Sequence, residues 1–130
     1  MIPPRFTISD TQITRVVSTF YAAVRDHPGL GPVFAAHVTD WPLHEDKIIR
    51  FWKNAILHSG DYDGNPLAVH RAAGNVQLPM FDVWLGLFDS VLRLELPTDT
   101  AAHWSALAHR IGRGLMFGMK GADGAPPSLR

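Results

Sequence analysis

Apolar residues recur along this chain at the spacing of an amphipathic helix. Ile13, Val16, Val17, Phe20, Tyr21 and Val24 follow one another at intervals of three and one, which sets them on one helical face. Ser9-Asp10-Thr11-Gln12 stands just before the stripe and reads as a capping box, with Ser9 as the cap and Gln12 reaching back. Pro28 disfavours helical geometry at His27, so this helix is expected to close near Asp26. A short helix over about 30–36 follows. Asp40 is then placed to cap a helix with Pro42 in its first turn. His44, Ile48, Phe51, Trp52 and Ala55 share a face of it, and the Gly/Asp/Asn cluster at 60–65 ends it. A second short helix is expected from Pro66 to Ala73.

After Gly74-Asn75, Pro79 suits a first turn, and Phe81, Trp84, Leu85, Phe88 and Leu92 mark the next buried stripe. Pro97 breaks it. Thr98 or Asp99 caps a last helix whose stripe is Trp104, Leu107, Ala108, Ile111 and Leu115. Gly112, Gly114 and Gly118 are out of place there, since a helical glycine costs roughly 1 kcal/mol against alanine. They imply either close approach of another helix or a ligand, or a fraying helix. No segment alternates with the period of a strand. The pattern predicts an all-α fold.

Composition narrows the function classes. The chain has 130 residues, enough for one domain with a small core. Residues 1–8 read as a flexible N-terminus, 9–119 as the domain, and the Gly/Pro-rich 120–130 as a disordered tail. Twelve Lys+Arg balance twelve Asp+Glu, and no basic run or stripe stands out. Neither nucleic acid nor an acidic membrane is therefore expected as partner. The absence of cysteine excludes disulfides, thiolate catalysis, iron–sulfur clusters and thiolate-ligated haem. No apolar signal region or long apolar run is seen, so the expected compartment is the cytoplasm.

Among seven histidines, His70 stands apart. It lies on a short helical segment entered through a loop, where an imidazole is free to adjust over a cofactor. A metal-ligating histidine keeps one ring nitrogen for the metal and has its other N–H held by a carbonyl or carboxylate. The alternative is an ordinary helix-end histidine. Tyr21 reads either as a core tyrosine or as a donor aimed at a ligand. His44 reads as a surface histidine at a helix start or as a distal gate. Trp84 is plain core, or its indole N–H faces an acceptor. No His-Glu-x-x-His or Glu-x-x-His pair, phosphate loop or Gly-x-Ser-x-Gly elbow occurs.

Taken in order, Phe20-Tyr21, Leu30-Gly31-Pro32 with Phe34, and His44 with Lys47-Ile48 and Phe51-Trp52 resemble the truncated haemoglobins. Gly60-Asp61-Tyr62, Gly64, Pro66-Leu67 and His70, then Phe81 with Trp84-Leu85 and Leu87-Phe88, extend the likeness over about residues 12–117. Isolated rather than paired glycines favour group III of that family. The resemblance implies a truncated globin-like two-over-two helical sandwich around haem b. In it, helices at about 11–26 and 41–58 pair with those at about 79–95 and 98–118. His70 would be the proximal iron ligand and Tyr21 the principal distal donor, with Trp84 close by. His44 would stand at the distal entrance, and Ile48, Phe51 and Trp52 would line the distal wall. Phe34, Leu67, Phe81 and Phe88 would touch the porphyrin, and Lys47 or Arg71 would reach a propionate.

The function implied is binding of dioxygen, nitric oxide or carbon monoxide at a histidine-ligated iron. A second possibility is a haem enzyme for nitric oxide dioxygenation or peroxide turnover, which would need a separate reductase because the chain has no nucleotide or flavin motif. A third, suggested by the amphipathic helices alone, is a cofactor-free helical interaction domain.

Overall fold

The structure is a computed structural model that describes residues 2–124, with side chains as far as Lys120. It is all-α, with α1 (Asp10–Asp26), α2 (Gly31–Ala35), α3 (Trp41–Leu57), α4 (Pro66–Ala73), α5 (Leu78–Glu95) and α6 (Thr98–Gly124). No strand occurs among the described residues. α1, α3 and α4 start where a side chain satisfies an exposed first-turn N–H group. At α1 the capping box is formed, with Gln12 N donating to Ser9 Oγ (3.1 Å) and Ser9 N to Gln12 Oε1 (2.9 Å). Leu43 N donates to Asp40 Oδ1 (3.0 Å) at α3, and Ala68 N to Asn65 Oδ1 (3.1 Å) at α4. α3 ends earlier than the 60–65 cluster, because His58 takes the left-handed conformation (φ 58°) and caps it. Gly74 does the same for α4 (φ 78°), a position where only glycine escapes strain.

The closely packed helix pairs are α1–α3, α5–α6, α1–α5, α4–α6 and α1–α2. Two helix pairs are thus joined through α1 and α5, the two-over-two arrangement expected. The apolar stripe of α1 is wholly interior, with Ile13, Val16 and Val24 fully covered. Trp104 of α6 and Phe88 of α5 lie at the centre of the core, their ring centroids 5.5 Å apart, and apart from the Tyr21 phenol and the tryptophan indoles no polar or charged side chain among those described is buried.

Of Gly112, Gly114 and Gly118 in α6, two mark close approaches. A Cβ on Gly112 would lie 3.1 Å from Leu85 Cδ1, and one on Gly118 would lie 2.7 Å from Leu67 Cδ2. Gly114 faces open space.

The ends of the chain depart from the simplest reading. Within residues 1–8, Arg5 N donates to Ile56 O (2.9 Å) and Arg5 Nε to Ala55 O (2.8 Å). These carbonyls belong to the last turn of α3, which has no helical N–H left for them. Phe6 stacks on His103 at 5.7 Å. At the other end α6 runs on to Gly124, and residues 125–130 of the expected tail lie outside the described residues.

Candidate functional site

α4 carries the first half of the site. It is eight residues long, entered through Pro66, and none of its residues is buried. His70 is half-buried, with its Nδ1 2.6 Å from Pro66 O. A carbonyl only accepts, so Nδ1 carries the donated proton, and in the neutral imidazole the Nε2 lone pair is left bare. Nε2 has no partner among the described residues. The ring of Phe81, at the start of α5, lies 5.8 Å away. This is the backbone partner that a metal-ligating imidazole requires and that sequence alone does not reveal.

The second half is an aromatic cluster on α1, α2 and α3. The Tyr21 ring meets His44 edge-on at 4.9 Å, Phe34 at 5.7 Å and Trp41 at 6.2 Å. His44 Nε2 is sealed from solvent and has no hydrogen-bond partner. Burial, and then the nearby Lys47, hold the His44 pKa below the usual imidazole value, while Glu45 opposes them. Burial, and secondarily Glu45, push the Tyr21 phenol above its ordinary value. Both side chains are therefore neutral near pH 7. The Tyr21 hydroxyl makes no hydrogen bond among the described residues. Trp84 joins this cluster through Phe20, its ring edge-on to Phe20 at 5.0 Å and stacked on Phe88 at 5.1 Å. Its indole N–H is also without a described partner.

The remaining candidates separate into lining and backing residues. Phe34, Ile48, Phe51, Leu67 and Trp84 are partly uncovered. Phe88 and Trp52 are not: they are 1% and 3% exposed, stacked on each other at 5.6 Å and flanked by Trp104. Rings this covered have little surface to offer a ligand, so they back the wall rather than line it. Lys47 is exposed. Arg71 Nη2 donates to Gly118 O of α6 at 2.9 Å.

Trp41 was not anticipated. Its ring packs 5.8 Å from His44, and the Arg25 guanidinium lies 4.7 Å over it, paired to Glu45 at 3.2 Å. The signal was present in the sequence, since Trp41 stands three residues before His44 and so on the same helical face.

No group of three or more His, Cys, Asp or Glu side chains gathers among the described residues to hold a bare ion. A metal bound at His70 must therefore bring most of its ligands with it. One bare imidazole nitrogen, partly uncovered aromatic walls and unpartnered neutral donors fit an iron porphyrin.

The comparisons with known proteins agree. No protein-family model matches the sequence. The chain is 34% identical over 92 residues to the group 3 truncated hemoglobin ctb of Campylobacter jejuni, across 68% of this chain and 72% of that protein. The crystal structure of the group III truncated hemoglobin from Campylobacter jejuni superposes with a TM-score of 0.81 at 30% identity, covering 85% of this chain and 90% of that one. The architecture is that of a truncated globin. Within that class, the chain belongs to the group III truncated haemoglobins.

Proposed function

We propose that the chain binds haem b through Nε2 of His70 and holds a diatomic ligand on the other side against Tyr21, Trp84 and His44. The observation that carries this reading is the set of polar atoms without partners. His44 Nε2 is sealed from solvent and lacks one, although buried polar groups in folded proteins are nearly always paired, and His70 Nε2, the Tyr21 hydroxyl and the Trp84 indole make no hydrogen bond among the described residues. Haem supplies an iron with an open position for dioxygen, nitric oxide or carbon monoxide. The absence of cysteine leaves no thiol for covalent attachment, which supports haem b.

Each side chain has a definite task. The Pro66 carbonyl fixes the His70 tautomer and aims its lone pair. Tyr21 stays a phenol and donates, Trp84 is a donor by constitution, and neutral His44 donates or accepts according to its tautomer. Phe34, Ile48, Phe51, Leu67 and Phe81 provide apolar contact for the macrocycle. Lys47 is the better placed cation for a propionate, because one Arg71 nitrogen is already engaged by Gly118. The partner of His70 Nδ1 is a backbone carbonyl, which donates less electron density than a carboxylate would. That favours reversible ligand binding over peroxide turnover.

The test is an absorption spectrum of the haem-reconstituted protein before and after reduction, and then under carbon monoxide. A Soret band that shifts at each step is expected, as is its loss in His70→Gly and recovery with added imidazole. Failure of the parent protein to develop a Soret band would overturn the reading.

A further inference from the structure

We propose that Gly118 of α6 and Arg71 of α4 are positioning residues for His70, and that the C-terminal part of α6 thereby sets how the proximal imidazole meets the iron. The inference rests on His70 being the iron ligand.

α4 has little else to hold it. An eight-residue helix is not stable alone in water, and no α4 residue is buried. Its close helical neighbour is α6, and two independent contacts converge there on one residue. The Leu67 side chain occupies the space that a Cβ on Gly118 would fill, at 2.7 and 2.9 Å from its two methyl carbons. The Arg71 guanidinium donates to the carbonyl of the same glycine. A carbonyl within a helix keeps a second lone pair, and a residue with no side chain leaves that lone pair approachable.

Leu67 and Arg71 are four residues apart, so they form one edge of α4. His70 projects from the neighbouring edge, about 100° round the helix from Arg71. A shift or roll of α4 on this seat therefore moves the imidazole directly. The Pro66 carbonyl bond moves with it, because it lies within the same helix, and so it cannot correct the displacement. A glycine costly to the helix thus stands where it receives the segment that carries His70.

The experiment uses the full chain reconstituted with haem. Resonance Raman spectra of the ferrous, ligand-free protein should contain an iron–histidine stretching band that disappears in His70→Gly. If no such band depends on His70, the reading of His70 as ligand fails and this inference falls with it. Given the band, Arg71→Ala and Gly118→Val should each shift and broaden it and change the carbon monoxide association rate severalfold. Arg71→Lys, which restores one donor, should recover most of the parent spectrum. Gly118→Ala should shift the band less in a Leu67→Ala background, relative to Leu67→Ala alone, than it does in the parent, because the shorter side chain reopens the notch. If Gly118→Val does not take up haem, the two Arg71 variants and the Gly118→Ala pair decide. Parent-like bands and association rates in Arg71→Ala and Gly118→Ala, with helicity intact, would overturn the proposal.

Discussion

Tyr21 and His44 meet edge to face, their ring centroids 4.9 Å apart and their planes at 88°. Two polar side chains from α1 and α3 thus pack by their rings and leave their polar atoms unpaired with each other. Such an arrangement leaves both available to a third group.

Tyr21→Phe tests that reserve with almost no change in packing. A neutral hydrogen bond contributes about 0.5–1.5 kcal/mol net, and more when its acceptor carries charge. Dioxygen on ferrous iron is the stronger acceptor and carbon monoxide the weaker. The variant should release dioxygen roughly tenfold faster, about 1.4 kcal/mol, with a much smaller change for carbon monoxide. Stopped-flow replacement kinetics decide the matter, and equal small changes in both rates would remove Tyr21 from the role.

The neutral state of His44 gives a stability prediction with a definite sign. Its folded pKa lies below the ordinary imidazole value of 6.5, chiefly through burial. The unfolded chain then binds more protons than the folded one below that value. Stability from this group is complete above pH 6.5 and is lost as pH falls through the folded pKa. The acid-side fall in Tm should therefore be shallower in His44→Leu than in the parent. Parallel Tm–pH curves for the two proteins would contradict this.

The alkaline side carries the opposite sign. Both Tyr21 and Tyr62 have pKa values raised above 10.0, mainly by burial, Tyr21 the more strongly. Folded protein should show tyrosinate absorbance later than unfolded protein. Stability should be full below about pH 10 and decline above it as the unfolded chain ionises. In Tyr21→Phe the remaining tyrosine should titrate nearer the ordinary value than the parent average does.

At the centre of the core, Trp104 Nε1 is sealed and has no partner. Truncating so large a ring to alanine should cost about 3–5 kcal/mol. Trp104→Phe should cost clearly less, because it removes an unsatisfied donor together with part of the ring. Urea unfolding of the two variants checks this, and equal losses would mean that the indole nitrogen is satisfied in solution.

Haem should also act as part of the core. Covering roughly 400 Å² of apolar surface at about 25 cal/mol/Å² is worth on the order of 10 kcal/mol before costs. The partly uncovered Phe34, Ile48, Phe51, Leu67 and Trp84 are where that surface lies. The apoprotein should melt broadly and well below the haem-loaded form. A sharp apoprotein transition at the same temperature would count against the site.

Much of this was legible because it is periodic or local. The α1 stripe, the Ser9 box, the Asp40 cap and the stripe containing Trp84 depend on residues within a turn or two of one another. Trp41 is equally local, three residues before His44 on the same helical face, but no cap or motif marks it. The Pro66 carbonyl beside His70 could not be read, since a backbone acceptor leaves no mark on residue type. Nor could the meeting of Arg71 with Gly118, 47 residues on, although three costly glycines in one helix signalled that something must approach it. Phe88 and Trp52 fell on the right faces, but only the packing places them behind the wall.

The short segment before α1 has a practical side. Arg5 holds the last turn of α3 while Phe6 rests on α6, so these residues clasp two helices that otherwise meet through core rings such as Trp52 and Trp104. A version trimmed to begin at Ser9 would keep every element of the sandwich and still lose a fastening. Tags and truncations placed there would reach α3, and through it the wall that His44 stands in.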